Sequence, residues 1–513
     1  MITHLHTALD LARWLQAIGA KGVTADSRLL QPGHAFLAWP GAAQDSRRYV
    51  RSALEQGAVA CVVEQDGADA YGFDDDRVAA VAGLKALSGE IASLFHHEPS
   101  RELDVVAITG TNGKTSTAWW TALWLQALGT PATMVGTLGM GRPGQPLDAT
   151  GLTTPDPARL QAGLRAYVDS GVKVCVMEVS SIGLDEARLA GTTVHTAVFT
   201  NFTQDHLDYH GTMAAYWAAK RRLFDWPGLR VAVVNVDDDK GAALAFELAE
   251  RTQGSHPIDL WTVSVQGAPA RLTVPEWTLT DSGLRFTVVE AGAPGNGGAG
   301  WQIKLPLVGD YNLYNLLCAL AVLRARGVSM ADAVGAASAL LAVPGRMQPV
   351  WPEAPEHSGP LVLVDYAHTP DALEKALRAL QPLALARGGR LWCLVGCGGD
   401  RDPSKRPLMA AVAEREAAVC VFTSDNPRRE DPMAILAQMQ AGLAEPGTVA
   451  VVPDRTQAVQ QAVDRAGVRD VVLLAGKGHE PYQEVAGVRH PYSDVDHARQ
   501  VLQARWVREK EGA

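Results

Sequence analysis

The chain has 513 residues, too many for one ordinary core and enough for three domains of roughly 100–200 residues each. Hydrophobic residues at 47% and charged residues at 20% exclude a disordered chain. Lys plus Arg number 46 against 56 Asp plus Glu, and the net charge of −10 argues against nucleic-acid binding, although local basic pockets can still take small anions.

The segment Met1-Ile2-Thr3-His4-Leu5-His6 has no basic stretch leading into an apolar one, and no run of 18 apolar residues occurs. Neither a secretory signal nor a helical membrane span is therefore expected. Six cysteines are scattered, and Cys393 and Cys397 lack CxxC spacing, so reduced thiols in the cytoplasm are the expectation. A polar break, His96-His97-Glu98-Pro99-Ser100-Arg101, precedes the first strong strand, Val105–Thr109. Further strands are predicted at Val174–Val179, Thr196–Asn201, Val231–Val236, Leu361–Asp365, Leu391–Val395, Ala418–Thr423 and Val471–Ala475. Their alternation with helix-compatible stretches predicts α/β architecture with parallel sheets. A second break, rich in proline, runs from Pro344 to Pro360, and Ala291–Gly300 reads as a Gly-rich loop between strands.

The strongest motif follows the first strand: Gly110-Thr111-Asn112-Gly113-Lys114-Thr115-Ser116, then a helix predicted from Thr117 to Leu128. Glycines let backbone N–H groups curl around phosphate oxygens, and a helix N-terminus adds a favourable dipole. Lys114 would reach the β and γ phosphates of ATP, and the Thr115 hydroxyl would hold Mg²⁺. Ile108 stands where the general P-loop pattern has Gly. Glu178 closes an apolar strand, and Asn201 to Gly211, including His206, follows another. Strand C-termini of a parallel sheet converge on one edge, so Glu178 and His206 are candidate Mg²⁺ partners beside Thr115. Lys220, in a predicted helix Tyr216–Phe224, reads by itself as a surface lysine.

Asn312 and Asn315 read as helix caps or base contacts. The stretch Gly396 to Pro403 reads equally as an anion loop or a flexible turn, and Ser424 to Arg428 and Gly476 to Glu480 read as turns after strands.

Thr-Gly-Thr-Asn-Gly-Lys-Thr resembles the phosphate loop of the Mur ligases, which build the stem peptide of peptidoglycan; the folylpolyglutamate synthases carry a similar loop. The resemblance runs from about Ser27 to about Glu480. It implies three domains: an N-terminal UDP-binding α/β domain at 1–98, a central P-loop parallel-sheet ATPase domain at 99–344, and a C-terminal Rossmann-like domain at 345–513. It also implies that Lys220 carries a CO₂-derived carbamate and helps hold Mg²⁺, where an ammonium would be repelled. Asn315, Arg346, Asp365 and His368 would contact ATP, with Lys114, Lys220 and His206 catalytic. Ser27, Ala42, Ala43 and Gln44 fall where the family contacts UDP. Thr153, Thr154, Ser180, Glu186 and Arg188 fall where it holds the muramoyl-dipeptide. Ile182 stands where many relatives have His, and Glu186 where some have Gln.

Asp425-Asn426-Pro427-Arg428 matches the motif of the members that add meso-diaminopimelate. Arg428 and Arg401 would pair with its distal carboxylate and Glu480 would take its ammonium, with Gly476 alongside. The expectation is a monomeric cytoplasmic ligase acting on UDP-MurNAc-L-Ala-D-Glu, meso-diaminopimelate and ATP. A folate polyglutamylating ligase would begin close to its phosphate loop, whereas about 100 residues precede Gly110 here. A P-loop NTPase without ligase chemistry would hydrolyse ATP with no amino-acid dependence, and a nucleotide-binding scaffold would release no phosphate.

Overall fold

The computed structural model describes residues 3–41, 44–253, 257–280, 283–292, 300–352 and 359–511. The chain forms two compact units: Met1–Thr273 with Tyr314–Ala336, and Val274–Leu313 with Ala337–Ala513.

The first unit opens with β1 (Thr3–His4), α1 (Ala8–Ala17), β2 (Gly22–Thr24), β3 (His34–Ala38), α2 (Val50–Glu55), β4 (Ala60–Glu64), β5 (Val78–Val81) and α3 (Leu84–Phe95). The strands make a parallel sheet in the order β1-β5-β4-β3-β2. Strands β3, β4 and β5 are buried on both faces and carry apolar residues without alternation.

A second sheet contains β6 (Asp104–Thr109), then α4 (Lys114–Ala127), β7 (Ala132–Gly136), β8 (Gly139–Gly141), α5 (Pro157–Asp169), β9 (Val174–Glu178), α6 (Ser181–Asp185), β10 (Thr196–Phe199), α7 (Leu207–His210), α8 (Met213–Arg221), β11 (Val231–Asn235), α9 (Asp239–Ala249) and β12 (Asp259–Ser264). Seven of its ten strands run in the order β12-β11-β10-β6-β9-β7-β8, parallel except for β8. Thus β6 lies between β10 and β9, and its C-terminal end has a strand end on either side. Helix α4 buries residues on every side, including Trp120 and Trp124, as expected of a helix enclosed within a core. The predicted helix Tyr216–Phe224 is cut short: α8 stops at Arg221, and a 3₁₀ turn, Arg222–Asp225, leads to Trp226, held extended before Pro227.

In chain order there follow β13 (Leu272–Thr280), β14 (Gly283–Glu290), β15 (Trp301–Leu305), α10 (Tyr311–Ala325) and α11 (Met330–Ala336). Strands β14 and β15 pair antiparallel on either side of the Gly-rich stretch, of which residues 293–299 lie outside the described residues. The Pro-rich break contributes an edge strand, β16 (Gln348–Val350), while residues 353–358 lie outside the described residues.

The second unit then builds β17 (Leu361–Asp365), α12 (Pro370–Ala386), β18 (Leu391–Val395), α13 (Lys405–Glu416), β19 (Val419–Phe422), α14 (Pro432–Gln440), β20 (Ala450–Val451), α15 (Arg455–Arg465), β21 (Val471–Ala475), the hairpin β22 (Tyr482–Val485) and β23 (Val488–Pro491), and α16 (Asp494–Glu511). The main sheet runs β16-β17-β21-β18-β19-β20, parallel except for β16. Helix starts are set by side-chain caps: Thr369 before Pro370, Asp431 before Pro432, and Asp454. All six cysteines are buried and unpaired. Among the described residues no helix is long and apolar enough to cross a membrane.

Candidate active site

The phosphate loop leaves β6 and is tied to the loop after β10. Thr111 N–H donates to the Asn201 carbonyl (2.8 Å) and Asn112 N–H to Asn201 Oδ1 (2.9 Å). In return Thr200 Oγ1 and Asn201 Nδ2 donate to the Asn112 carbonyl at 2.6 and 3.1 Å. Gly110 has φ +144°, and a Cβ there would sit 1.9 Å from Thr200 Oγ1, so no other residue fits. Helix α4 starts at Lys114, three residues earlier than expected, which puts its N-terminal amides at the loop. Lys114 Nζ donates to the carbonyls of Gly110 (2.9 Å) and Thr111 (2.8 Å). Ser116 is buried.

On the other side of β6, Glu178 ends β9 with 1% exposure, so it is not a solvated loop acid. Its carboxylate accepts from Thr115 Oγ1 (2.8 Å), Thr137 N–H (2.9 Å) and Thr137 Oγ1 (3.2 Å). Sequence reasoning missed Thr137; it follows β7, the strand beside β9.

Lys220 is not a surface lysine but 1% exposed, donating to the Gly110 carbonyl at 2.7 Å and lying over the Tyr216 ring. Burial first, then repulsion from Lys114, holds its amine well below the usual lysine range. Tyr216 Oη sits 3.2 Å from Thr111 Oγ1, and its ring meets that of His206 edge-on at 6.1 Å. Burial also lowers the His206 imidazole, against the pull of Asp205. Among the described residues no three His, Cys, Asp or Glu side chains converge as a metal cage. The Thr115 hydroxyl and the Glu178 carboxylate are the hard oxygen donors beside the loop.

Asn315 lies inside α10 rather than capping it, with Oδ1 accepting from Thr117 Oγ1 at 3.4 Å. Asn312 donates to the Val308 carbonyl at 2.7 Å.

Ser180 caps α6 through Gly183 N–H (3.0 Å), and Thr154 Oγ1 receives Ser180 N–H and donates to the Glu178 carbonyl. Thr153 Oγ1 lies 3.0 Å from Thr137 Oγ1. Arg188 donates to the Thr154 carbonyl (2.9 Å) and pairs with Glu186 (3.0 Å), which also faces Lys85 at 3.7 Å. These residues adjoin the Glu178 cluster. In the N-terminal sheet region Ser27 begins a 3₁₀ turn capped by Asp26, and Gln44 accepts from Tyr49 Oη at 3.1 Å. Ala42 and Ala43 lie outside the described residues.

In the second unit the loops after β17, β18, β19 and β21 leave the same sheet edge. Asp365 Oδ2 accepts from Met347 N–H (2.7 Å), and burial raises its carboxyl against the pull of Arg346. The Arg346 guanidinium lies 4.6 Å from the Tyr366 ring centroid, and His368 Nδ1–H donates to the Tyr366 carbonyl at 2.8 Å.

After β18, the stretch Gly396 to Pro403 is no loose turn. Arg406, buried, donates to the Gly398 carbonyl (3.1 Å) and to both Glu430 oxygens (2.8 Å each), and Glu430 accepts Asp400 N–H. Arg401, on this loop, is exposed. Arg428, with φ +52°, donates to the Gly399 carbonyl at 2.7 Å, so the loops after β18 and β19 are stitched together. Asn426 Nδ2 donates to Glu480 Oε2 at 2.7 Å. Lys477, which the sequence did not single out, is fully buried and donates to Asn426 Oδ1 and Glu480 Oε2, each at 3.0 Å. Behind them Arg455 and Asp494 form a fully buried ion pair (2.6 Å). Arg455 also donates to the carbonyls of Ser424 and Ala475, immediately before Asp425 and Gly476. Breaking such a pair costs about 3–5 kcal/mol, so both loop bases are firmly set.

Residues 108–323 match the Mur ligase middle domain and residues 345–478 the Mur ligase, glutamate ligase domain. A UDP-N-acetylmuramoyl-L-alanyl-D-glutamate–2,6-diaminopimelate ligase of Acidovorax sp. (strain JS42) is 52% identical over 512 residues, 98% of each chain. A solved structure of a ligase with that name is 32% identical, with a TM-score of 0.64 over 94% of this chain and 95% of its own. The structure of a MurF ligase from Thermotoga maritima in complex with ADP shares the fold at 15% identity, with a TM-score of 0.63 over 96% of this chain and 99% of its own.

Proposed function

The chain belongs to the Mur ligase family of ATP-dependent ligases, and from that premise we propose that it joins meso-2,6-diaminopimelate to UDP-N-acetylmuramoyl-L-alanyl-D-glutamate during peptidoglycan synthesis. The observation that carries the reading is the C-terminal loop cluster. It sets a guanidinium, Arg428, two residues from Asn426, which is bonded to the Glu480 carboxylate. A distal carboxylate and ammonium on one amino acid match those two charges.

In this reading a γ-carboxylate oxygen of the D-glutamyl group attacks the γ-phosphorus of ATP and ADP leaves. The diaminopimelate amine then attacks the acyl-phosphate carbon. The tetrahedral intermediate loses its proton and expels inorganic phosphate, leaving the amide. Lys114 and the amides at the start of α4 bind the phosphoryl oxygens, and Asn315, Arg346, Asp365 and His368 hold the nucleotide. Thr115, Glu178, His206 and Lys220 would hold Mg²⁺, which when bound offsets charge on the transferring group. Burial weakens the hold of the Lys220 amine on its proton, and the deprotonated amine can add CO₂ through its lone pair and lose a proton to give a carbamate with two anionic oxygens.

Ser27, Ala42, Ala43 and Gln44 would bind UDP, and Thr153, Thr154, Ser180, Glu186 and Arg188 the muramoyl-dipeptide. Arg401, Asp425–Arg428, Gly476 and Glu480 would bind diaminopimelate. The three functional segments are 1–98, 99–344 and 345–513, in a monomer working in the cytoplasm. Phosphate release with the UDP-muramoyl-dipeptide, tested against diaminopimelate, lysine and glutamate, checks the proposal. Release that needs both the dipeptide and diaminopimelate supports it, and an equal rate with both omitted overturns it.

A further inference from the structure

Four charged side chains of the expected diaminopimelate contacts, Arg401, Asp425, Arg428 and Glu480, sum to zero. Lys477 adds one positive charge from within. Its ammonium is fully buried, bonded to Asn426 Oδ1 and Glu480 Oε2, and 3.7 Å from Asp425 Oδ1. Neighbouring charges are matched among themselves: Arg455 with Asp494, Arg406 with Glu430, Arg489 with Glu484. Asn426 cannot turn away, because Glu484 N–H also donates to its Oδ1 (2.9 Å) while its Nδ2 donates to Glu480. Two donors therefore occupy Glu480 Oε2, and among the described residues none is bonded to Oε1, the oxygen that faces an incoming group. Burial pushes the Asp425 carboxyl up, and Lys477 is the first of the groups that pull it back.

Resting on the reading of these loops as the amino-acid pocket, we infer that Lys477 is the positioning residue that sets its specificity. Its resident ammonium fills one side of the Glu480–Asn426 pair, leaves Glu480 Oε1 for a single incoming ammonium, and tips the pocket towards a ligand that brings an extra carboxylate. Without Lys477 the two acids lack their internal cation, and a cationic amino acid such as lysine gains on one with a zwitterionic distal end.

The experiment is the ratio of kcat/KM for diaminopimelate to that for lysine in the full-length chain. Lys477→Met should lower the ratio at least tenfold while the KM for ATP stays within twofold. An unchanged ratio, or equal loss for every substrate, overturns the inference. Glu480→Gln and the Lys477→Met/Glu480→Gln pair supply the second measurement. If Lys477 acts through Glu480, the double variant has the ratio of Glu480→Gln alone, and a further tenfold fall overturns the inference. Failure of both Lys477 variants to fold makes the residue structural and equally overturns it. Wild-type protein without diaminopimelate-dependent phosphate release would refute the functional reading instead.

Discussion

The phosphate loop and the C-terminal loop cluster are both built where parallel strands end, yet they are held by different forces. Around Gly110 the fixing partners are backbone groups and the uncharged side chains of Asn201 and Thr200. Lys220 is buried there with a carbonyl as its bonded partner and no carboxylate within ion-pair distance among the described residues. Around Asp425 the fixing partners are opposite charges, Lys477 with Glu480, Arg406 with Glu430 and Arg455 with Asp494. The first arrangement offers Lys114 and the N-terminal amides of α4 to an anion. The second interleaves both signs and favours a ligand that carries both.

The largest expected effect breaks the first region. Lys220→Ala should lower turnover by more than about 10³-fold in a phosphate-release assay, as loss of a group stabilising transferred charge does. Near-full activity in that variant would remove the carbamate reading. Next comes a matched pair of glycines. Gly110→Ala, with φ +144° and a contact of 1.9 Å to a hydroxyl on a rigid strand end, should weaken nucleotide binding by about 100-fold. Gly476→Ala, with φ +108° and 2.6 Å to Asp425 Oδ2, meets the end of a side chain and should raise the KM for diaminopimelate by about tenfold while leaving ATP unaffected. Calorimetric titration of ATP and steady-state kinetics check the two, and equal effects would erase the contrast. The smallest is Arg428→Ala. It should raise the diaminopimelate KM by several-fold to about tenfold through loss of a charge-assisted contact, with the ATP KM within twofold.

The two regions also differed in how far the sequence disclosed them. The phosphate loop is contiguous, so its residues, its strand and its helix could be read together, and the strand ends on either side of β6 brought Glu178 and Asn201 to it as the parallel-sheet rule requires. The predicted strands agree with those found to within two residues because buried parallel strands are unbroken β-branched runs. The N-terminal sheet was not read as strands, since His34–Ala38, Ala60–Glu64 and Val78–Val81 are rich in alanine, a poor strand signal. Lys220 read as a surface residue because helical spacing does not tell which face is enclosed. Thr137, Arg406, Arg455 and Lys477 were missed because each acts on a distant segment; Arg455 reaches Asp494, 39 residues on. The sequence did hold one usable clue, a lysine between two glycines directly after the fully apolar run Val471–Ala475.

The six buried cysteines give the molecule an unplanned clock. Burial pushes the thiols of Cys61, Cys175, Cys318, Cys397 and Cys420 up to about 12, and it raises that of Cys393 well above the usual thiol range. At neutral pH the nucleophilic fraction of those five is then on the order of 10⁻⁵. Alkylating reagents would meet these sulfurs only when a core opens. Labelling each position over time would therefore record, site by site, how often each part of the protein breathes.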